Sequence, residues 1–143
     1  MSAGVVRTAF RDHLAASIVL NSVSAPYIET LNSTTDTADR PDEWCTLDFA
    51  GAEEEPISLG NAPGDRAFRE TGTVFAHAMA EANKGDDRAV EIADEIRAAF
   101  RDVNLGVGIQ VETVSPPDTG EGKPDGRVFR AIVEITYRFD FTA

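Results

Sequence analysis

The side chains that could catalyse a reaction or bind a metal are few and scattered in this sequence. His13 and His77 are the only histidines, and Cys45 is the only cysteine, among 143 residues. Neither histidine lies in a short metal-ligand motif such as His-Glu-x-x-His, and a single cysteine excludes both an internal disulfide and a cysteine-rich zinc site. The sequence therefore predicts no catalytic residue, no cofactor-binding residue, no metal ligand and no cofactor.

Structural positions explain these three residues more simply. Cys45 alternates with Leu47 and Phe49, which is typical of a small buried strand residue rather than of a nucleophile. His13 is expected on the surface of a helix. His77 is expected in a strand near the edge of a sheet.

Two charged motifs also have simpler explanations than chemistry. Glu53, Glu54 and Glu55 are consecutive, and we expect them in a solvated turn, where they diverge, rather than paired for acid–base catalysis. Lys123 lies among glycines in TGEGKPDG. A phosphate-binding loop requires Ser or Thr after its lysine and then a helix, whereas here Pro124 and a predicted strand follow, so we expect a hairpin connection.

An enzymatic alternative stays open at this point. A small hydrolase or ligand-binding domain could assemble its site from distant residues, and Asp48, His77 and Glu112 are then the best candidates. That alternative requires a deep pocket in which the three side chains converge.

The composition indicates one acidic, folded domain spanning residues 1–143. Hydrophobic residues make up 42% and charged residues 27%, which is ordinary for a globular protein. A formal net charge of −12 opposes non-specific binding to nucleic acid, because that binding needs Lys and Arg against the phosphates. Charges interrupt the first residues where a signal peptide needs an apolar stretch, and no run is apolar enough for a membrane span. We expect a protein made in the cytoplasm, with no membrane partner.

Two amphipathic segments predict helices. The first is residues 5–20, and the second is residues 83–103, which Asp86 or Asp87 begins and Asn104 with Gly106 ends. The apolar positions at helical spacing are Val6, Phe10, Leu14 and Ile18 in the first, and Ala89, Ile92, Ala93, Ile96, Phe100 and Val103 in the second. Each helix therefore has one face to bury.

The remaining apolar segments predict strands. They are a short extended piece after Pro26 (residues 27–31), then residues 44–50, 57–59, 68–82, 108–114 and 126–141, with a long exposed loop at 31–43 and a turn at 50–56. This order predicts an α+β fold: an antiparallel or mixed sheet of four to five strands with two helices packed on one face.

The last strand is long for so small a domain. Residues 127–141 span roughly 50 Å when extended, whereas a domain of this size is roughly 37 Å across. Either the strand bends, around Ile132, or one end projects and meets another subunit. The projecting arrangement predicts a homo-oligomer, because an uncovered apolar strand edge invites pairing with another chain.

The sequence resembles the tail-terminator and minor tail proteins of long-tailed phages, the lambda type among them, and of gene transfer agents. The resemblance lies in the N-terminal helix, APYIETLN, WCTLDF after a polar loop, ETGTVFAHAMAEANKGDDRAVEIADEIRAAF, and the terminal GRVFRAIVEITYRFDF. It covers nearly the whole chain from Val5, and residues 71–100 are its most specific part. This chain departs from the usual form in its extended NSTTDTADRPDE loop.

The resemblance implies a structural virion protein rather than an enzyme. It implies a ring, a homohexamer, in the neck region of the virion, which caps the tail tube, stops its polymerisation and joins head-completion or stopper proteins. The partners implied are further copies of the chain, the tail tube protein and the stopper, with DNA passing through the channel without specific binding. Another ring component, a tube subunit or a head–tail connector, is the alternative within the same class.

The net charge suggests a role for that channel. Six copies with a charge of −12 each would carry −72, and acidic side chains lining the channel would keep passing DNA from binding. The simpler explanation is that the acidity keeps the subunit soluble.

Overall fold

The computed structural model describes residues 2–18, 28–29, 43–58, 66–81, 87–119 and 128–142. The loop predicted at 31–43, apart from Glu43, and the residues around Lys123 lie outside the described part. The helices are α1 (Ser2–Ser17) and α2 (Asp87–Phe100), and the strands are β1 (Ile28–Glu29), β2 (Trp44–Phe49), β3 (Glu53–Pro56), β4 (Ala67–Glu81), β5 (Asn104–Gly106), β6 (Ile109–Val114) and β7 (Val128–Thr142).

The strands form one mixed sheet in the order β1-β2-β4-β7-β6-β5. Strand β3 pairs with β4 on the same side as β2, further along the strand. The β1–β2 pair is parallel and the other pairs are antiparallel. The sheet curls into a half-barrel, and with its two helices it confirms the α+β prediction.

The two longest strands pair along their whole length. Strands β4 and β7 have 15 residues each, and their register runs from Ala67 opposite Thr142 to Glu81 opposite Val128. The other side of β7 pairs with β6 from Phe139 to Ile135, and Asp118 bridges to Ile132. The sequence analysis predicted that one end of β7 projects with an uncovered edge. For the edge of β7 that faces β4 this prediction is wrong, because β4 is equally long and pairs with β7 along its whole length.

One face of the sheet carries the core because alternate residues of each strand point to it. Val74, Ala76 and Ala78 of β4 lie opposite Ile135, Val133 and Ala131 of β7, and all six are fully buried. The apolar stripes of the helices cover them. Val6, Phe10, Leu14, Ala89, Ile92, Ala93, Ile96 and Phe100 are at most 1% exposed, as their spacing predicts.

An aromatic cluster joins α1 to the sheet and to α2. The Phe10 ring stacks on Phe100 with 5.4 Å between centroids, and it meets the edges of Tyr137 at 5.4 Å and Phe49 at 5.9 Å. The guanidinium of Arg7 lies 4.8 Å from the centroid of the Phe49 ring. Such pairs add to the area that the rings bury, so Phe10 holds α1 in place.

Several boundaries differ from the sequence predictions, and the following differences change which element a residue belongs to. Residues 53–56, predicted as a turn, form strand β3 along β4, and Ile57 and Ser58, predicted as a strand, lie beyond its end. Helix α2 ends at Phe100, before Asn104, because Asp102 takes a left-handed backbone conformation with φ of 52° that ends a helix. Asn104 and Gly106 belong instead to β5.

Candidate interaction surfaces

The three residues of the enzymatic alternative do not converge. Asp48 and His77 are diagonal neighbours on the face of the sheet without helices, since Asp48 lies opposite Phe75. His77 also lies opposite Ile132 of β7, whereas Glu112 lies in the β6 bulge beside Thr136 and Tyr137 of that strand. Ile132 and Thr136, the β7 residues beside His77 and Glu112, are four residues apart, which corresponds to roughly 14 Å along the strand. The structure therefore brings Asp48 and His77 together and leaves Glu112 apart from them.

His77 lies in the middle of the sheet. Its strand, β4, is flanked by β2 and β7, so the predicted position near an edge is wrong. Burial, and secondarily the charge of Arg130, lower the pKa of His77, while Asp48 opposes the shift. Its buried Nδ1 has no hydrogen-bond partner within the part of the chain that the structure describes.

His13 connects the two helices and is not a plain surface residue. Its Nε2 lies 2.6 Å from the carbonyl oxygen of Ala99, and its ring contacts the Phe100 ring edge-on at 4.9 Å. His13 lies on the surface of α1, as predicted, but it is half-buried because the C-terminal turn of α2 packs beside this side of the helix. A hydrogen-bond donor at that turn satisfies a carbonyl that the helix itself leaves unpaired.

Cys45 is fully buried, as predicted. Burial, with the nearby charges of Glu95 and Glu43, raises the pKa of its thiol to about 12. A thiol in that environment stays protonated and is a poor nucleophile.

The described residues contain no group of three or more His, Cys, Asp or Glu placed to hold a metal ion. Glu53, Glu54 and Glu55 alternate along β3, and all three are exposed, so consecutive side chains point to opposite faces of the sheet. No helix in the described ranges is long and apolar enough to cross a membrane.

A charged row crosses the helix-free face near one end of the sheet. Arg69 of β4 donates from Nε and Nη2 to the two carboxylate oxygens of Asp140 on β7, at 2.7 and 3.0 Å. The hydrogen bond to Asp140 raises the pKa of Arg69, and Glu112 and Glu55 add to the shift. Glu112 thus belongs to the surroundings of this ion pair rather than to a site with His77.

A shallow groove runs between α1 and β5. Its volume is about 710 Å³, and its lining is mainly apolar: Val5, Ala9, Leu105 and Val107, with Gly4, Thr8, Asp12, His13 and Asn104. Val5 is 41% and Val107 70% exposed. The groove therefore exposes the side chains of Val5 and Val107 to solvent.

The turn at the end of this groove has an unusual backbone. Gly106, Val107 and Gly108 all have positive φ, of 79°, 49° and 89°. Positive φ at both central residues of a two-residue hairpin turn is the type I′ pattern, which favours Asn-Gly. A β-branched residue such as Val is strained there. The N–H of Asp140 donates to the carbonyl of Gly108 at 3.1 Å, which fixes the turn against β7.

A second exposed apolar surface lies at the opposite edge of the same sheet end. Ile57 is 43% exposed, and its N–H donates to the carbonyl of Ala67 at 2.9 Å. Beside it, Phe68 stacks on Phe141 with 5.8 Å between centroids. We name Pro56, Ile57 and Arg66, all exposed, the Ile57 edge. Sequence reasoning missed both surfaces, because each is assembled from distant segments.

These features define an α+β domain with a curled sheet and two exposed apolar surfaces. No family model matches the sequence, and no curated protein matches it. The fold recurs among solved structures. One of them is 22% identical over 97% of this chain and 96% of its own, with a TM-score of 0.58. Its name states no activity, so the likeness shows the fold alone.

Proposed function

We propose that this chain is a tail terminator, a ring protein at the head-proximal end of a phage or gene-transfer-agent tail tube. The observation that carries the proposal is the sequence resemblance, which covers nearly the whole chain. Its most specific part, residues 71–100, and the terminal segment 126–141 contain elements that contact one another in the fold. Strand β4 pairs with β7 over 15 residues, and α2 packs on both.

The arrangement of the candidate residues supports a structural role over the hydrolase alternative. Asp48, His77 and Glu112 do not share a site, and the described groove is lined by other residues. Among the described residues, the exposed large hydrophobic side chains lie elsewhere, on α1 (Val5), after β3 (Ile57) and in the β5–β6 turn (Val107). The proposed ring contacts further copies of the chain on its sides, the tail tube on one face and a stopper protein on the other.

The acidity of the chain extends this proposal to the channel. Carboxylates on the channel wall would repel the phosphates of passing DNA, since binding would need cations there. A ring whose channel wall is dominated by Lys and Arg would rule out this part of the proposal.

Tube length is the decisive measurement. Purified protein is mixed with tail-tube subunits of the same particle, and tube length is measured by electron microscopy. A terminator gives shorter tubes with a cap at one end. A tube subunit lengthens the tubes, a stopper binds only tubes that are already capped, and an enzyme leaves length unchanged, so each of those results would overturn the proposal.

A further inference from the structure

We draw no further inference here: the strongest candidate, the shallow apolar groove between α1 and β5 with the exposed side chains of Val5 and Val107, carries none because nothing in the structure shows what covers it.

Discussion

The side chain of Tyr137 covers Gly72 on the neighbouring strand so closely that a Cβ on Gly72 would lie 2.7 Å from the Tyr137 hydroxyl oxygen. The two residues are direct partners in the β4–β7 register. That hydroxyl also donates to Oε2 of Glu70 at 3.2 Å, and Glu70 is only 8% exposed. The missing side chain at Gly72 therefore leaves room for the Tyr137 ring, whose hydroxyl reaches the carboxylate of Glu70.

Gly72→Ala should consequently destabilise the fold. The ring of Tyr137 also packs against Phe10, so relief of the clash should move packed groups, at a cost of about 1–3 kcal/mol. Urea denaturation measures the loss. Gly51→Ala is the matched control, since a Cβ there meets nothing within 4 Å. Equal unfolding midpoints for the two variants would contradict the prediction.

Tyr137 should also produce a loss of stability in alkali. Burial, with the charge of Glu70 and the hydrogen bond to it, raises the pKa of Tyr137 from 10.0 to about 12. The neutral phenol is favoured in the folded state, so its contribution is complete below pH 10 and is lost as the pH rises toward 12. The free energy of unfolding of Tyr137→Phe, followed over the same range, should fall less steeply than that of the unmodified protein. Parallel curves would exclude the effect.

His77 should produce a loss of folding stability in acid. Its pKa is lowered from 6.5, chiefly by burial, so the unfolded chain accepts the proton more readily than the folded one. Its contribution to stability is present above pH 6.5 and is lost as the pH falls below that value. The comparison of His77→Gln with the unmodified protein isolates this contribution, because the carboxylates titrate in both. A difference in unfolding free energy that does not change with pH would show that His77 is not desolvated.

Cys45 should be unreactive until the protein unfolds. Its side chain is fully buried and the pKa of its thiol is raised to about 12. A reagent therefore cannot reach the sulfur, and the thiol stays protonated at neutral pH. A chromogenic disulfide reagent at pH 8 should label one thiol per chain in denaturant and almost none in the native protein. Rapid native labelling would place the thiol at the surface.

Periodic patterns predicted most of the fold because they depend on neighbours in the sequence. The alternation in β4 and β7 and the apolar stripes of both helices are confirmed, except at Val103, which lies beyond the end of α2 and is only half-buried. The misplaced elements depend on distant partners instead. The consecutive residues Glu53, Glu54 and Glu55 predicted a turn. They form a strand because Arg69 and its neighbours on β4 have backbone groups with which they can pair. Asn104 and Gly106 predicted the end of a helix. They form strand β5 instead, because they pair with β6.

The sequence predicted the candidate surfaces less accurately than the fold, because these surfaces also depend on residues that are distant in the sequence. The prediction for Cys45 needed only alternation, and it is confirmed. The positions of His13 and His77 depended on which element packs beside them: the prediction for His77 was wrong, and His13 is half-buried on its helix surface. The groove joins the first residues of the chain to residues 104–107. No pattern within either segment indicates that they meet, although the valine between two glycines at 106–108 was a visible signal of an unusual turn.

Phe10 should be the most sensitive position of α1, because its ring anchors the helix on the sheet. Its fully buried ring contacts Phe49, Phe100 and Tyr137, so Phe10→Ala leaves a cavity among three rings and should cost about 3–5 kcal/mol. Val5→Ala is the matched control on the same helix, because Val5 is 41% exposed and its loss should hardly change the melting temperature. If α1 docks through Phe10, only the first variant should increase the hydrogen exchange of α1 amides. Similar exchange in both variants would mean that other contacts hold the helix on the sheet.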